Sequence, residues 1–153
     1  MKILIIDDDE PLRMHLSKAL KRRGHSAIAI SKGDEAMAQL RKEPFDAAVI
    51  DMKMMGMNGL QVLKELKKIH PQLIGVILTG YGSISNAVEA TKLGAYDYLT
   101  KPCEISELEK VLKKGVSETM KAMMPFKEIY HGIVGKSREI KKMIQTINQV
   151  KDS

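Results

Sequence analysis

A single cysteine, Cys103, stands in the 153-residue chain, so no internal disulfide can form and a reducing compartment is favoured. No apolar run approaches the ~18 residues of a membrane span. Met1-Lys2 leads straight into an apolar run without a signal peptide's longer hydrophobic segment or cleavage site. A cytoplasmic protein without a membrane partner is expected. Net charge is missing from residues 1–109, which hold 15 Lys/Arg and 15 Asp/Glu, whereas residues 110–153 hold 10 and 4 and supply the whole +6. Aromatics are also scarce, at four tyrosines and two phenylalanines. The tail lysines are scattered among Met, Ile and Val at helical spacing, with no interleaved aromatics and no Arg cluster. This reads as a solvated helical face, and no direct nucleic-acid binding by this segment is expected.

Hydrophobic content of 44% and charged content of 29% describe a globular chain with room for one α/β domain. Four short apolar runs each end in a polar residue able to handle a phosphoryl group: Ile3-Leu4-Ile5-Ile6 before Asp7-Asp8, Ala47-Ala48-Val49-Ile50 before Asp51, Ile74-Gly75-Val76-Ile77-Leu78 before Thr79, and Ala95-Tyr96-Asp97-Tyr98-Leu99 before Thr100-Lys101. Such runs, separated by helix-period stretches, read as parallel strands buried on both faces. Ser26-Ala27-Ile28-Ala29-Ile30 is a weaker strand, expected at or near an edge. Helices are expected from Pro11 to the basic turn Arg22-Arg23-Gly24, from Asp34 to Lys42, from Asn58-Gly59 to just before Pro71, and from Ser83 to Leu93. The pattern is (βα)5, a doubly wound, five-stranded parallel sheet of the flavodoxin-like kind.

The fifth helix, from Glu104 to Met124 and stopped by Pro125, is longer than such a sheet needs. Its stripe of Ile105, Leu108, Val111, Leu112, Val116, Met120 and Met123 continues past the point where the sheet can cover it, which suits pairing with a second copy. A connector containing Phe126, Tyr130 and Gly132 follows, then a helix-like stretch from Ser137 to Val150.

In a sheet of this type, ligands bind outside the carboxyl ends of the strands. Asp7, Asp8 and Asp51 therefore converge, at a cost of about 4 kcal/mol per like-charged pair at ~4 Å and an effective dielectric of ~20. Either their pKa values rise or a divalent cation sits among them, and hard oxygen ligands suit Mg2+. Lys101 adds a positive charge, Thr79 a hydroxyl donor, and the loop after Asp51 backbone N–H groups, which together cradle a phosphoryl group. Asp51, alone at the end of the central run, is the expected nucleophile.

These residues resemble the receiver domains of bacterial two-component response regulators: the acidic pair Asp7-Asp8, the acceptor-like Asp51 followed by Met54 and Gly59, Thr79, and Tyr98 ahead of Lys101-Pro102. The resemblance spans residues 1 to about 120. It implies phosphorylation of Asp51 by a histidine kinase, with Mg2+ held by Asp8, Asp51 and the backbone carbonyl of Lys53, and Asp7 acting through water. It also implies that Thr79 and Tyr98 form a switch pair, Tyr98 packing beneath the helix from Ser83, and that Lys101-Pro102 is cis. The family usually has Met-Pro after the acceptor strand, where this chain has Met54-Met55. Residues 131–137, His-Gly-Ile-Val-Gly-Lys-Ser, with Ile140 to Val150, resemble the opening of the AAA+ ATPase domain of sigma-54-dependent transcription activators. The implied layout is a receiver over 1–120, the linker end and connector over 121–132, and a truncated AAA+ start over 133–153, with DNA-binding modules beyond the chain.

Other signals are weaker. Gly135-Lys136-Ser137 lacks the preceding glycine and strand of a nucleotide-binding loop, and Gly80-Tyr81-Gly82 reads as a turn. His15, His25, His70 and His131 lack ligand spacing and read as surface or helix-end residues. Cys103 reads as a packed small hydrophobe. The main rival is a haloacid-dehalogenase-type phosphatase with Asp7 as nucleophile and Asp9 as acid/base. Pro11 departs from that pattern, and Asp51 is left without a role. The expectation is a signalling switch and not a turnover enzyme. A receiver-shaped interaction module that has lost phosphorylation is the third reading.

Overall fold

Three of the four apolar runs become strands buried on both faces; the fourth, residues 95–100, becomes a half-buried strand at an edge of the sheet, and the amphipathic stretches between the strands become the covering helices. In chain order these are β1 (Lys2–Ile6), α1 (Glu10–Arg22), β2 (Ser26–Ile30), α2 (Gly33–Lys42), β3 (Ala47–Asp51), α3 (Gly59–Ile69), β4 (Ile74–Thr79), α4 (Ile84–Lys92), β5 (Ala95–Thr100) and α5 (Ile105–Met123). The computed structural model describes residues 1–54, 56, 58–80 and 84–123. Met55, the connector after Pro125, His131 and the AAA+-like stretch lie outside the described residues. Helix ends fall within a residue of expectation, which is the scatter that fraying termini give.

All five strands are parallel, in the order β2-β1-β3-β4-β5, with the weaker β2 at an edge. Side chains alternate between two cores. Leu4, Ile6, Ala48, Ile50 and Ile77 pack with residues of α2, α3 and α4, while Ile3, Ile5, Ala47, Val49, Val76 and Leu78 pack with residues of α1 and α5. Each buried Val, Leu or Ile contributes about 1.5–3 kcal/mol, so a continuous apolar run is stable only where both faces are covered. β3 and β4 are buried along their whole length. Chain order reverses between β1 and β3, and that switch point lies at the strand ends that carry the acidic residues.

Local chemistry sets the helix boundaries. Asp9 N-caps α1 and Pro11 follows within its first turn; Gly24 past its end takes φ of 91°. Asn58 and Gln61 form a reciprocal capping box at the start of α3. α5 lies close against the sheet because Gly115 has no side chain: a Cβ there would sit 2.8 Å from Ile74 Cγ2 and 3.1 Å from Tyr96 Cδ2. Leu108 and Leu112 of α5 are fully buried, whereas Met120 is 56% exposed. Among the described residues, no helix is long and apolar enough to cross a membrane.

One histidine departs from expectation. His15 is exposed and His70 is the C-cap of α3, but the His25 ring is 7% exposed. Its Nε2 lies 2.7 Å from Glu109 Oε2 on α5, and Arg23 Nη1 donates to Glu109 Oε1 at 2.6 Å. The partners are 84 residues apart in sequence, which no local pattern reveals. The hydrogen bond from His25 is the main reason, with Arg23 and Lys113 assisting and burial opposing, that Glu109 is pulled down from 4.5 to about 2. A depressed carboxylate stabilises the fold above its unfolded pKa, and that contribution fades as pH falls from about 4.5 through about 2. Glu109→Gln is therefore expected to shrink the loss of stability between pH 5 and pH 3, measured by denaturant unfolding at both values.

Candidate functional site

The β1–α1 turn fixes the first two carboxylates. The Asp7 N–H donates to Ile30 O on β2 at 3.1 Å, prolonging the strand by one residue. Asp7 Oδ1 accepts the Asp9 N–H at 2.9 Å, and Asp7 O accepts Arg13 Nη1 at 2.8 Å. Side chain, turn and α1 thus hold one another. Asp7 is 2% exposed and Asp8 faces solvent. Asp9, the acid/base of the phosphatase alternative, is engaged as the α1 cap, accepting from the Leu12 N–H at 3.5 Å.

Asp51 ends β3 opposite Leu78 and is 7% exposed. One carboxylate oxygen each from Asp7, Asp8 and Asp51 lie within 4.8 Å of one another. Lys101, just after β5, places Nζ 2.7 Å from Asp51 Oδ1 and 3.5 Å from Asp7 Oδ2. Burial raises the Asp7 pKa and the Asp51 charge adds to this, against the Asp9 N–H and Lys101. Burial alone would lower Lys101, but its hydrogen bond to Asp51 and the charges of Asp7 and Asp51 outweigh it and the ammonium is held more tightly. Lys101 faces Asp7 and Asp51, and the three clustered carboxylates offer hard-oxygen donors that suit a divalent ion of the Mg2+ type.

Thr79 ends β4, is 2% exposed, and its carbonyl accepts the Lys101 N–H at 2.6 Å, tying the tips of β4 and β5 together. The Lys101–Pro102 peptide is cis, as the resemblance implied. Lys53 is exposed in the loop after β3, and Met54 packs against the core. Tyr98 stands apart from the carboxylates, packed on the α3–α4 side of the sheet. Among the described residues, Tyr98 Oη is the one buried side-chain polar atom without a hydrogen-bond partner. Removing it by Tyr98→Phe is expected to stabilise the fold by about 1 kcal/mol, read as a rise of roughly 4 °C in the melting midpoint.

Sequence reasoning missed two contributors. Gly59, read as a helix opener and as part of the pattern after Asp51, approaches the acceptor strand so closely that a Cβ would collide with the Asp51 carbonyl oxygen and lie 3.0 Å from Met52 Cα. Its N–H donates to Met52 O at 2.7 Å, and the Met52 N–H donates to Leu78 O at 2.8 Å. The second is a cleft of about 410 Å³ on the flank of Lys101, lined by Leu12 and His15 of α1, Pro102 and Cys103 after β5, and Leu108 of α5. Cys103 packs against the core, as expected of a small hydrophobe.

The sequence pattern of the family described as "Response regulator receiver domain" matches residues 3–113. The chain is 34% identical over 154 aligned residues to the transcriptional regulatory protein ZraR of Escherichia coli (strain K12), covering 99% of this chain and 35% of ZraR. The chain therefore spans about a third of that relative's length. A response regulator receiver domain from Clostridium thermocellum superposes with a TM-score of 0.75 at 31% identity, covering 79% of this chain and 98% of the other. The beryllofluoride-activated NtrC4 receiver domain dimer superposes at 0.73 with 28% identity, covering 77% and 98%. With the acidic cluster, the lysine opposite it and the 2-1-3-4-5 sheet, these matches show that the chain belongs to the response regulator receiver domain family.

Proposed function

We propose that this chain is a phosphorylation-operated switch that takes a phosphoryl group onto Asp51 from a partner histidine kinase. The observation that carries this reading is the meeting of the Asp7, Asp8 and Asp51 carboxylates with Lys101 at the switch point of the sheet. Three carboxylates against one ammonium form an oxygen-rich, negatively charged site that suits Mg2+, held by Asp8, Asp51 and the Lys53 backbone carbonyl, with Asp7 acting through water. When bound, the ion supplies positive charge that lets an anionic phosphate approach an anionic nucleophile.

An Asp51 carboxylate oxygen attacks phosphorus, the P–N bond to the donor histidine breaks, and its electron pair returns to the imidazole nitrogen. Lys101 keeps a charge beside the new acyl phosphate, and Thr79 donates its hydroxyl to a phosphoryl oxygen. Thr79 and Tyr98 then act as the switch pair. A buried Tyr98 hydroxyl without a partner is costly by about 1–3 kcal/mol, which keeps alternative placements of this ring close in free energy. Inverting a 99:1 equilibrium takes about 5.5 kcal/mol, within reach of a few charge-assisted hydrogen bonds.

The receiver comprises residues 1–120, with 121–132 as linker end and connector and 133–153 opening an AAA+ domain. The output is control of oligomerisation through helix 104–124 and of a sigma-54-dependent transcription-activating ATPase with its DNA-binding module in the full-length protein. The exposed Met120 supports α5 as the pairing surface. The chain is a signalling domain located in the cytoplasm and contacts neither DNA nor membrane itself. A small phosphodonor with Mg2+ should add one phosphoryl group per chain, and chelation should prevent it. Light scattering with and without beryllofluoride should show a change of oligomeric state; a monomer under both conditions would remove the pairing claim and leave the acceptor claim standing.

A further inference from the structure

Tyr96 and Tyr98 are two residues apart on β5, yet they lie in opposite cores. Tyr96 packs with the α1–α5 cluster, its ring over Gly115, and Tyr98 packs with the α3–α4 cluster. In a regular strand, residues i and i+2 share a face. The register accounts for the exception: Gly75 pairs with Ala95, but Val76 pairs with Asp97 and Ile77 with Tyr98, so β5 carries one extra residue. Without that residue Tyr98 would pair with Leu78 and face α5. With it, Tyr98 pairs with Ile77 and shares the face of Thr79.

β5 is an edge strand, whose outward N–H groups have no ladder partner. At the bulge, the Tyr98 N–H is taken by the Asp97 side chain, which accepts at Oδ1 over 2.7 Å. Short polar side chains that bond a neighbouring backbone N–H stabilise irregular backbone at turns, and bulges serve to re-aim a side chain next to functional sites.

We propose that Asp97 is a positioning residue, whose side chain holds the β5 bulge and thereby assigns Tyr98 to the Thr79 side of the sheet, while Tyr96 faces α5 in either register. Its effect on signalling rests on the switch role given to Tyr98 above; the assignment of the ring does not. Asp97 touches neither the acidic cluster nor Lys101 in this arrangement, so Asp97 variants keep the acceptor chemistry and alter what reads it.

Amide hydrogen exchange and NMR of the 153-residue chain test this. In the unmutated protein the Tyr98 amide should be protected although it lies on the sheet edge; exchange at the unprotected rate overturns the inference without any variant. Asp97→Ala should lower that protection about tenfold and weaken the contacts of the Tyr98 ring with the α3–α4 cluster, while Asp97→Asn, which keeps an acceptor oxygen, should restore both. An alanine variant with wild-type protection and unchanged Tyr98 ring contacts overturns it as well. Addition of beryllofluoride and Mg2+ separates the two layers. A Tyr98 ring signal that moves in the unmutated chain and in Asp97→Asn, but not in Asp97→Ala, supports the positioning role. A ring signal that moves in none of them defeats the switch reading, and the ring assignment is then decided by exchange alone.

Discussion

Asp51→Asn is expected to abolish covalent phosphorylation by small phosphodonors and to leave the domain folded. The amide has the carboxylate's shape, and its oxygen still accepts from Lys101, which now sits 2.7 Å from Asp51 Oδ1. What it lacks is the anionic oxygen that attacks phosphorus, so the loss is total and not graded. Mass spectrometry after incubation with acetyl phosphate and Mg2+ reads the result directly. Asp7→Asn is the informative partner. Burial and the Asp51 charge raise the Asp7 pKa, so neutralising it relieves repulsion while leaving the nucleophile in place. Labelling should persist on Asp51 with a weaker response to Mg2+. Label appearing on Asp7 in the Asp51→Asn variant, with sustained turnover of phosphate esters, would return the protein to the phosphatase class.

The second large effect is expected at Gly59. Its missing side chain lets the first turn of α3 press against the backbone of Asp51 and Met52. Gly59→Ala drives a methyl group into a carbonyl oxygen that belongs to a central strand and has little room to move. Overpacking of this sort costs about 1–3 kcal/mol, and the displaced atoms are those of the proposed phosphoacceptor, so the rate of phosphorylation should fall with stability. Gly80→Ala is the control. A Cβ there meets nothing within 4 Å, and a change below about 0.5 kcal/mol is expected. Urea midpoints for the two variants, with phosphorylation rates alongside, decide the matter. Equal midpoints would mean that the α3 turn yields without cost.

These two sites differ in how far the sequence reveals them. Asp51 is legible because a carboxylate at the end of a fully apolar run has few roles, and because strand ends in a parallel sheet share an edge. Asp7, Asp8, Thr79 and Lys101 follow by the same logic, and the structure brings all but Thr79's hydroxyl chemistry into measured contact or proximity. Gly59 is not legible as a close-approach residue, since glycine at a helix start has several explanations and only the packing selects one. The β5 bulge is hidden for a related reason. Ala95-Tyr96-Asp97-Tyr98-Leu99 reads as a continuous run, and periodicity over five residues cannot register one insertion. The Glu109 cluster needs two segments 84 residues apart to be neighbours, which is tertiary information. His25, read as a surface or helix-end residue, does follow the end of α1, and its ring is covered for that reason.

The hydrogen bonds from Gly59 to Met52 and from Met52 to Leu78 have a wider implication. They cinch the chain on both sides of Lys53 to Asn58, forming a neck closed by β4 and the first turn of α3. The entropy of closing such a lariat grows only slowly with the number of residues inside it. Exposed Lys53 can therefore be exchanged at little expense to folding, whereas Met54, packed against the core, and Asn58, the cap of α3, belong to the architecture.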